Sequence, residues 1–547
     1  MAKTATVVTK NKETNIKTNI KTNKKLHPLL LNPYLPGIVM FVIALVIGLF
    51  TYHDYGICWD EPYQRGPGLL SFNYIFHGDQ TLFKKASDNH GAGYEILLVI
   101  FEKILRLTDT RDIYLMRRIV SHVFFLGSVF AGYVLIYRMY KSRFLAGLGF
   151  FMLAFMPRMY AHSFYNTKDM PFLCMFIIIF AVCHIAFDKN KTWLFLILGL
   201  LCGYATSIRI MGVMLGAGIV LFLLIDAFAD RIDKEKLKKA LLHVLVFSVG
   251  FILLLYLPWP YLWKHPVHNF IESYQKLAHY SAWKGGLLFN GKLLFSDKPL
   301  PWTYFPTWFL ITIPELWLAA GFGGIILLAI DFFKRPLVYI RNMQERNFVF
   351  YLYCFFVPII AVLFLHSVIY DDWRHLYFVY PSFVMIGIYF INKLMQGKFT
   401  KIVQGACILQ AVIISVFMIQ NHPFNEVYFN NLVSHEEEHL RKTYDLEYWG
   451  CSFKQGLDHL LESDTSKNIK ICCEYTTMLN NNIMLLRPED RKRFRFAMFD
   501  TADYYMSNFR LHPDDYPGKN IEFQVEVLNS TILRIYKLKN TPNVRLR

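Results

Sequence analysis

Two adjacent carboxylates, Asp60 and Glu61, follow closely on the first apolar stretch of this chain. That stretch, residues 35–50, carries no charge and is long enough to cross a bilayer with its flanks. Carboxylates at the end of a membrane helix are costly unless they stay hydrated, pair with cations or take part in chemistry. Prolines and glycines within residues 52–68 favour a shaped loop around them. The alternative is a solvated loop in which Asp60 merely caps a short helix.

Further ionisable residues lie at the ends of later apolar stretches, and they are Lys168, Asp169, Arg209, Arg374 and His375. Each has a structural explanation on its own, such as a local ion pair or a side chain that extends to the headgroups. Together they place acids and cations on one predicted face of the membrane. Such a set suits a substrate whose phosphate is held by cations and whose hydroxyl is deprotonated by a carboxylate.

The composition indicates a polytopic α-helical membrane protein. Of the 547 residues, 54% are hydrophobic and only 18% are charged. The net charge of +17 matches the surplus of Lys and Arg in cytoplasmic loops of membrane proteins. A nucleic-acid-binding face would need a large soluble domain, and none is expected before residue 421. The nine cysteines show no paired spacing, so we predict neither a disulfide framework nor a zinc site.

Loop charges predict the orientation across the membrane. The connectors on one side are rich in Lys and Arg, which places the amino terminus inside and the carboxy terminus outside. Eleven spans are predicted, at about 34–52, 115–137, 144–159, 170–187, 192–207, 210–228, 240–258, 312–333, 348–367, 374–392 and 402–420.

Three regions follow from this pattern. Residues 1–33 are expected to be a disordered basic cytoplasmic tail, and residues 34–420 a transmembrane domain with outer loops at 53–112 and 259–311. Residues 421–547 are expected to be a small soluble α/β domain on the outer side. Its strands are predicted at 469–473, 494–498, 523–528 and 532–537, the last two joined as a hairpin.

The two outer loops have their own patterns. Residues 94–107 are apolar with charges recurring on one side, which favours a helix lying in the membrane interface. The second loop holds tryptophans that suit a surface gripping an amphiphile, and they are Trp259, Trp263, Trp283 and Trp302.

Six ordered motifs resemble those of a known superfamily. They are Trp59-Asp60-Glu61, Asn166-Thr167-Lys168-Asp169-Met170-Pro171, Pro301 to Trp308, Asp371-Asp372-Trp373-Arg374-His375-Leu376-Tyr377, His422 to Asn430, and Leu446 to Gly450. From residue 35 to about 510 the chain thereby resembles the C-type (GT-C) membrane glycosyltransferases. Within them it is similar to the protein O-mannosyltransferase, lipid A aminoarabinose transferase and Rgt-type (family 39-like) bacterial enzymes.

The resemblance implies an active site at the acidic first outer loop. The donor would be a sugar on a polyprenyl phosphate, and the acceptor a hydroxyl of a lipid, glycan or protein outside the cell inner (plasma) membrane. Asp60 would be the base, with inversion at the anomeric carbon. Glu61 would tune Asp60 or position the acceptor, and Asp169 matches the second acidic position of the family. The phosphate would be bound by Lys168, Arg209, Arg374 and His375.

No cofactor is expected. Some superfamily members hold a divalent metal with acids like Asp60 and Asp169, but close relatives are thought to work without one. The long loop lacks the inserted domain of the protein mannosyltransferases, which leaves lipid or glycan acceptors open. The alternative function is a transporter or flippase of a lipid-linked substrate. That reading would favour charged or broken helices near mid-membrane and inverted repeats, and neither is evident.

Overall fold

The computed structural model describes residues 32–84, 91–228, 234–278, 285–295, 298–365, 367–516 and 520–538. The predicted basic tail up to residue 31 and Trp283 lie outside the described residues.

Helices dominate the described chain up to residue 420. They are Leu35–Thr51, Glu61–His77, Gly93–Ile104, Thr110–Tyr140, Arg143–Ala154, Pro157–Tyr165, Asp169–Lys189, Thr192–Ile208, Gly212–Phe228, Lys234–Tyr256, Pro266–Ala278, Tyr304–Thr312, Glu315–Lys334, Pro336–Arg341, Met343–Phe364, Tyr380–Leu394 and Thr400–Gln420. Within the described ranges, seven helices are long and apolar enough to cross a membrane, or eight if one bent pair counts as a single span. Three shorter helices are also apolar, and every predicted span overlaps a helix. The number of spans and their orientation stay predictions.

A glycine contact brings two of these helices close together. Helices Thr192–Ile208 and Lys234–Tyr256 pack so tightly that a Cβ at Gly199 would lie 2.0 Å from the carbonyl oxygen of Phe247. Small residues let helix backbones approach in a membrane, where lipid is as apolar as the side chains. This pairing holds helix Thr192–Ile208, whose end leads into Arg209.

The third predicted span, 144–159, is two helices that meet at an angle of 60°. Arg143–Ala154 ends just before Pro157, where the second helix, Pro157–Tyr165, begins. Because proline lacks an N–H and clashes with the preceding turn, the chain bends here. The second helix is buried along its whole length and leads directly into residues 166–169.

Helix Gly93–Ile104 forms within the predicted interfacial segment, but its two acidic side chains face the protein. Glu95 and Glu102 are buried and pair with Arg117 at 2.5 and 3.3 Å. The side chain of Ile104, in contrast, is 68% exposed. Pairing with a cation lets the acids lie inside, together with several apolar side chains of the same helix.

The carboxy-terminal region carries a five-stranded mixed sheet in the order β4-β3-β5-β7-β6. After a short earlier hairpin of β1 (Gly286–Phe289) and β2 (Lys292–Phe295), its strands are β3 (Ile469–Cys473), β4 (Phe494–Phe496), β5 (Tyr504–Ser507), β6 (Asn520–Val527) and β7 (Ser530–Lys537). β3 lies parallel to β4 and β5, and β6 and β7 form the predicted antiparallel hairpin. Its helices are His439–Thr443, Phe453–Ser463, Thr476–Leu485 and Pro488–Arg491.

This region packs onto the loop that follows the first helix. The Trp59 N–H donates to the carbonyl oxygen of Trp449 at 2.8 Å, and the Ile57 N–H donates to Oδ1 of Asn482 at 2.9 Å. The acidic loop is therefore held by residues that lie roughly 400 positions later in the chain.

Candidate active site

Asp60 is the residue immediately before helix Glu61–His77. Its side chain makes no capping hydrogen bond to that helix, so the capping alternative is wrong. Its Oδ2 instead lies 3.1 Å from Nη1 of Arg374. The Asp60 side chain is 26% exposed, against 2% for Asp169 and 7% for Asp371. Of these three carboxylates, Asp60 is the most exposed.

Arg374 joins all three carboxylates. Its Nη1 also lies 3.4 Å from Oδ2 of Asp169, and its Nη2 lies 3.2 Å from Oδ2 of Asp371. The guanidinium carbon is 4.5 Å from the ring centroid of Trp449, a cation–π contact. Because the positive charge between Asp60 and Asp169 comes from this arginine, the two carboxylates do not fit a divalent metal in this arrangement.

Asp169 is fixed from both sides. Its Oδ1 lies 2.9 Å from Nη2 of Arg209, so this arginine pairs with an acid rather than extending to the headgroups. Asn166 accepts the Asp169 N–H at 2.8 Å and donates to its Oδ2 at 3.0 Å. The carboxylate at the start of this helix thus orients two arginines, Arg209 and Arg374.

Lys168 lies beside the ion-pair cluster that Asp60, Asp169 and Asp371 form with the two arginines, without joining it. Within the described residues, its Nζ makes no ion pair and no hydrogen bond, while Asp169 and Asp60 act on it through space. Burial, followed by the charge of Arg209, lowers the pKa of Lys168 to about 8. An ammonium in this position is suited to an incoming anion.

Burial also raises the pKa of Asp60 above its usual value. The charge of Arg374 opposes this rise, and the charges of Asp371 and Asp169 add to it. A carboxylate with a raised pKa is a stronger base once it is ionised.

Glu61 is fully buried and turned away from this cluster. Its Oε2 accepts the N–H of Cys58 at 3.0 Å. Burial raises the pKa of Glu61 to about 7, and the opposing charges come chiefly from Arg118 and Arg117. Glu61 therefore supports the acidic loop from inside, and its side chain does not contact the three aspartates that pair with Arg374 in the described part of the chain.

His375 brings its main chain rather than its ring to the cluster. Its carbonyl oxygen accepts a hydrogen bond from Nη1 of Arg209 at 2.9 Å. The ring packs edge-on against Tyr370, and its Nδ1 is buried without a hydrogen-bond partner within the described residues.

The two aspartates of the Asp-Asp-Trp-Arg-His motif point in different directions. Both have left-handed backbones, with φ of 55° at Asp371 and 60° at Asp372, which is uncommon for residues other than glycine. Asp372 turns away from the cluster. Its Oδ2 accepts hydrogen bonds from Arg158 at 3.0 Å, Tyr377 at 2.8 Å and Tyr448 at 2.9 Å.

The carboxy-terminal region adds a cation that sequence reasoning missed. Arg510 donates through Nη2 to Oδ1 of Asp371 at 2.8 Å and through Nη1 to the carbonyl oxygen of Tyr448 at 2.7 Å. Residues expected to form a separate domain thus contact the site. Arg158 was also missed, although an arginine at the end of a predicted span is a signal in itself. No such signal marks Arg510.

Part of the chain matches a known family. Residues 111–259 match the family model described as dolichyl-phosphate-mannose-protein mannosyltransferase. This match supports the GT-C resemblance. The matched segment contains Asp169 and Arg209, which form an ion pair with each other, and Lys168, which lies beside them. It also contains Arg158, which pairs with Asp372.

The chain is also similar to solved structures. With the apo oligosaccharyltransferase of Archaeoglobus fulgidus, the TM-score is 0.48 and the identity 11% over 84% of this chain, which spans 64% of that protein's length. With apo ArnT from Cupriavidus metallidurans, the TM-score is 0.48 and the identity 10%, over 91% of this chain and 97% of that one. Comparison with curated proteins gave no match.

Proposed function

We propose that this chain is a membrane glycosyltransferase that moves a sugar from a polyprenyl-phosphate donor to a hydroxyl acceptor. The observation that carries the proposal is the partly exposed carboxylate of Asp60, which pairs with Arg374 and has Lys168 nearby, while Arg209 pairs with Asp169 in the same cluster. An acid that can take a proton and cations that can hold a phosphate are the two requirements of this transfer.

In the proposed reaction, Asp60 takes the proton of the acceptor hydroxyl as its oxygen attacks the anomeric carbon. The bond between that carbon and the phosphate oxygen breaks, and its electron pair leaves with the polyprenyl phosphate. In-line attack inverts the anomeric carbon. The raised pKa of Asp60 makes its carboxylate a better acceptor for this proton.

The cations would bind the donor phosphate and stabilise the charge that grows on it as it leaves. Asp169 supports this role because it orients Arg209 and Arg374. Lys168, whose Nζ has no direct partner in the described part of the chain, would contact the phosphate directly. His375 would act by holding Arg209 through its carbonyl oxygen, and Glu61 by holding the acidic loop.

The donor class rests on the family match. The family that residues 111–259 match is named for dolichyl-phosphate mannose, which supports a polyprenyl-phosphate sugar and favours transfer over the flippase alternative. The acceptor would be a lipid, a glycan or a protein. The predicted loop charges support an outward-facing site, and the resemblance supports the cell inner (plasma) membrane.

The test compares Asp60→Asn with Asp54→Asn in purified protein in lipid nanodiscs. Asp54 is a matched control because it lies on the same loop, is 35% exposed and pairs with His422 at 2.8 Å. We expect Asp60→Asn to lower turnover by about 10²- to 10⁴-fold with donor binding retained. Asp54→Asn should transfer near the wild-type rate. Transfer by Asp60→Asn at the wild-type rate would contradict the mechanism.

A further inference from the structure

A second cluster of ligand-type side chains lies outside the candidate active site. Glu426, Glu447 and Cys451 are 1%, 2% and 2% exposed. One oxygen or sulfur atom from each lies within 4.8 Å of the other two. The nine cysteines show no paired spacing, so the sequence predicted no zinc site here. Folding brings them together by packing the short turn Asn425–Val427 against residues 447–451.

Glu447 is held in place by its neighbours. Its Oε1 accepts the N–H of Cys451 at 2.6 Å, and its Oε2 accepts hydrogen bonds from the Ser452 hydroxyl at 2.8 Å and from Nδ2 of Asn508 at 3.4 Å. Carboxylates that bind metals are commonly oriented by such outer hydrogen bonds. The bond to the Cys451 N–H also makes the carboxylate and the thiol parts of one compact turn.

Glu426 lacks this support. Neither of its carboxylate oxygens has a well-aligned hydrogen bond within the described residues, although the side chain is buried. Its own backbone N–H and the Tyr165 hydroxyl act on the Glu426 carboxylate at close range but are poorly aligned with it, and the charge of Arg158 reaches it only through space. A buried carboxylate in this state requires either a proton or a cation.

We propose that Glu426, Glu447 and Cys451 bind one divalent transition-metal ion, with zinc the best fit. A thiolate with two carboxylates suits an ion of intermediate softness, whereas Mg²⁺ and Ca²⁺ prefer oxygen ligands alone. Zinc binds thiolate sulfur at about 2.3 Å and carboxylate oxygen at about 2.0–2.2 Å. Ligand atoms within 4.8 Å of one another can surround an ion at such distances after small side-chain adjustments.

The proposed role is structural. The burial of all three ligands keeps substrates away, and the ion would fasten residues 447–451 to the segment that follows helix Thr400–Gln420. That turn also carries Tyr448, whose hydroxyl donates to Asp372, and Trp449, whose ring packs on Arg374. Loss of the ion should therefore loosen one wall of the candidate active site without removing its acids or cations.

A shared proton is the competing explanation. Burial raises the pKa of Glu426 to about 7 and that of Glu447 to about 8. Without a metal, the two carboxylates would hold about one proton between them at neutral pH, and Glu426→Gln would mimic the protonated acid at little cost. With a metal, the same substitution would remove a ligand.

The test measures zinc content by elemental mass spectrometry in full-length protein purified without a polyhistidine tag. We expect about one zinc per chain in the wild type and in Cys407→Ala, a buried cysteine of helix Thr400–Gln420 that is not one of the three ligands. Cys451→Ser and Glu426→Gln should hold at least tenfold less zinc. A strong chelator should lower the melting temperature of the wild type and of Cys407→Ala but leave that of Cys451→Ser unchanged.

Reloading the wild-type protein with cobalt tests the proposal even if the variants fold poorly. Wild-type protein reloaded with Co²⁺ should develop a thiolate-to-cobalt absorption that saturates at one ion per chain. The proposal is overturned if this absorption does not appear, or if wild type and Cys451→Ser hold the same zinc. It is also overturned if Glu426→Gln is as stable as the wild type and both ignore the chelator.

Discussion

The neighbouring residues Asp371 and Asp372 should respond differently to the same substitution. Asp372 is fully buried and forms an ion pair with Arg158, which is also fully buried. Its carboxylate also accepts hydrogen bonds from two tyrosine hydroxyls. Asp372→Asn keeps the shape but removes the carboxylate that pairs with Arg158, which then keeps only the carbonyl oxygen of Tyr428 and contacts with aromatic rings. Breaking a buried ion pair in this way costs about 3–5 kcal/mol. After Asp371→Asn, Arg374 keeps two other carboxylates and Arg510 keeps a carbonyl, so we expect about 1–2 kcal/mol.

The assay is unfolding of both variants and the wild type in the same detergent, followed by tryptophan fluorescence. Arg158→Met combined with Asp372→Asn should recover part of the loss, because neither partner is then left as an unpaired buried charge. Transfer activity should show the reverse order, with Asp371→Asn impaired beyond its stability loss because it alters the partners of Arg374. The reasoning is refuted if Asp372→Asn is no less stable than Asp371→Asn.

Two further predictions concern the acidic loop and its neighbouring lysine. Because the pKa of Lys168 is about 8, its charge is lost above that pH, and the donor KM should rise as the pH passes about 8. Lys168→Arg keeps its charge, so its KM should stay flat to higher pH; parallel pH profiles for both proteins would contradict a phosphate role. The raised pKa of Glu61 means that the folded state binds this proton more tightly than the unfolded state does. The stability of the wild type relative to Glu61→Gln should therefore fall as the pH rises from about 4.5 to about 7. A stability difference that does not change with pH would show that Glu61 does not titrate in this range.

The fold class and the central charges could be predicted because the physics that places them is local. Apolar stretches must be helices in a membrane, and ionisable residues at their ends stand out against them. This reasoning found Asp60, Asp169, Arg209 and Arg374, which the structure brings into one ion-pair cluster.

The rest depended on contacts that no local pattern records. Glu61 was predicted to act beside Asp60 because the two are adjacent in sequence. A helix begins at Glu61, however, and successive side chains of a helix are rotated by about 100°, so that Glu61 faces the protein interior while Asp60 faces Arg374. Arg510 contacts Asp371 across a separation of 139 residues, and only the tertiary packing brings them together. The bend at Pro157 did have a local signal, the proline itself, but the continuous apolar stretch around it predicted a single span.

The most direct measurement is a structure of the Asp60→Asn variant bound to the intact polyprenyl-phosphate sugar, since this variant should bind the donor without turning it over. We predict that a phosphate oxygen lies within about 3 Å of Lys168 Nζ and of the guanidinium of Arg209 or Arg374. The side chain at position 60 should lie on the side of the anomeric carbon opposite the phosphate. A donor phosphate bound away from these cations, or an anomeric carbon out of reach of position 60, would contradict the account.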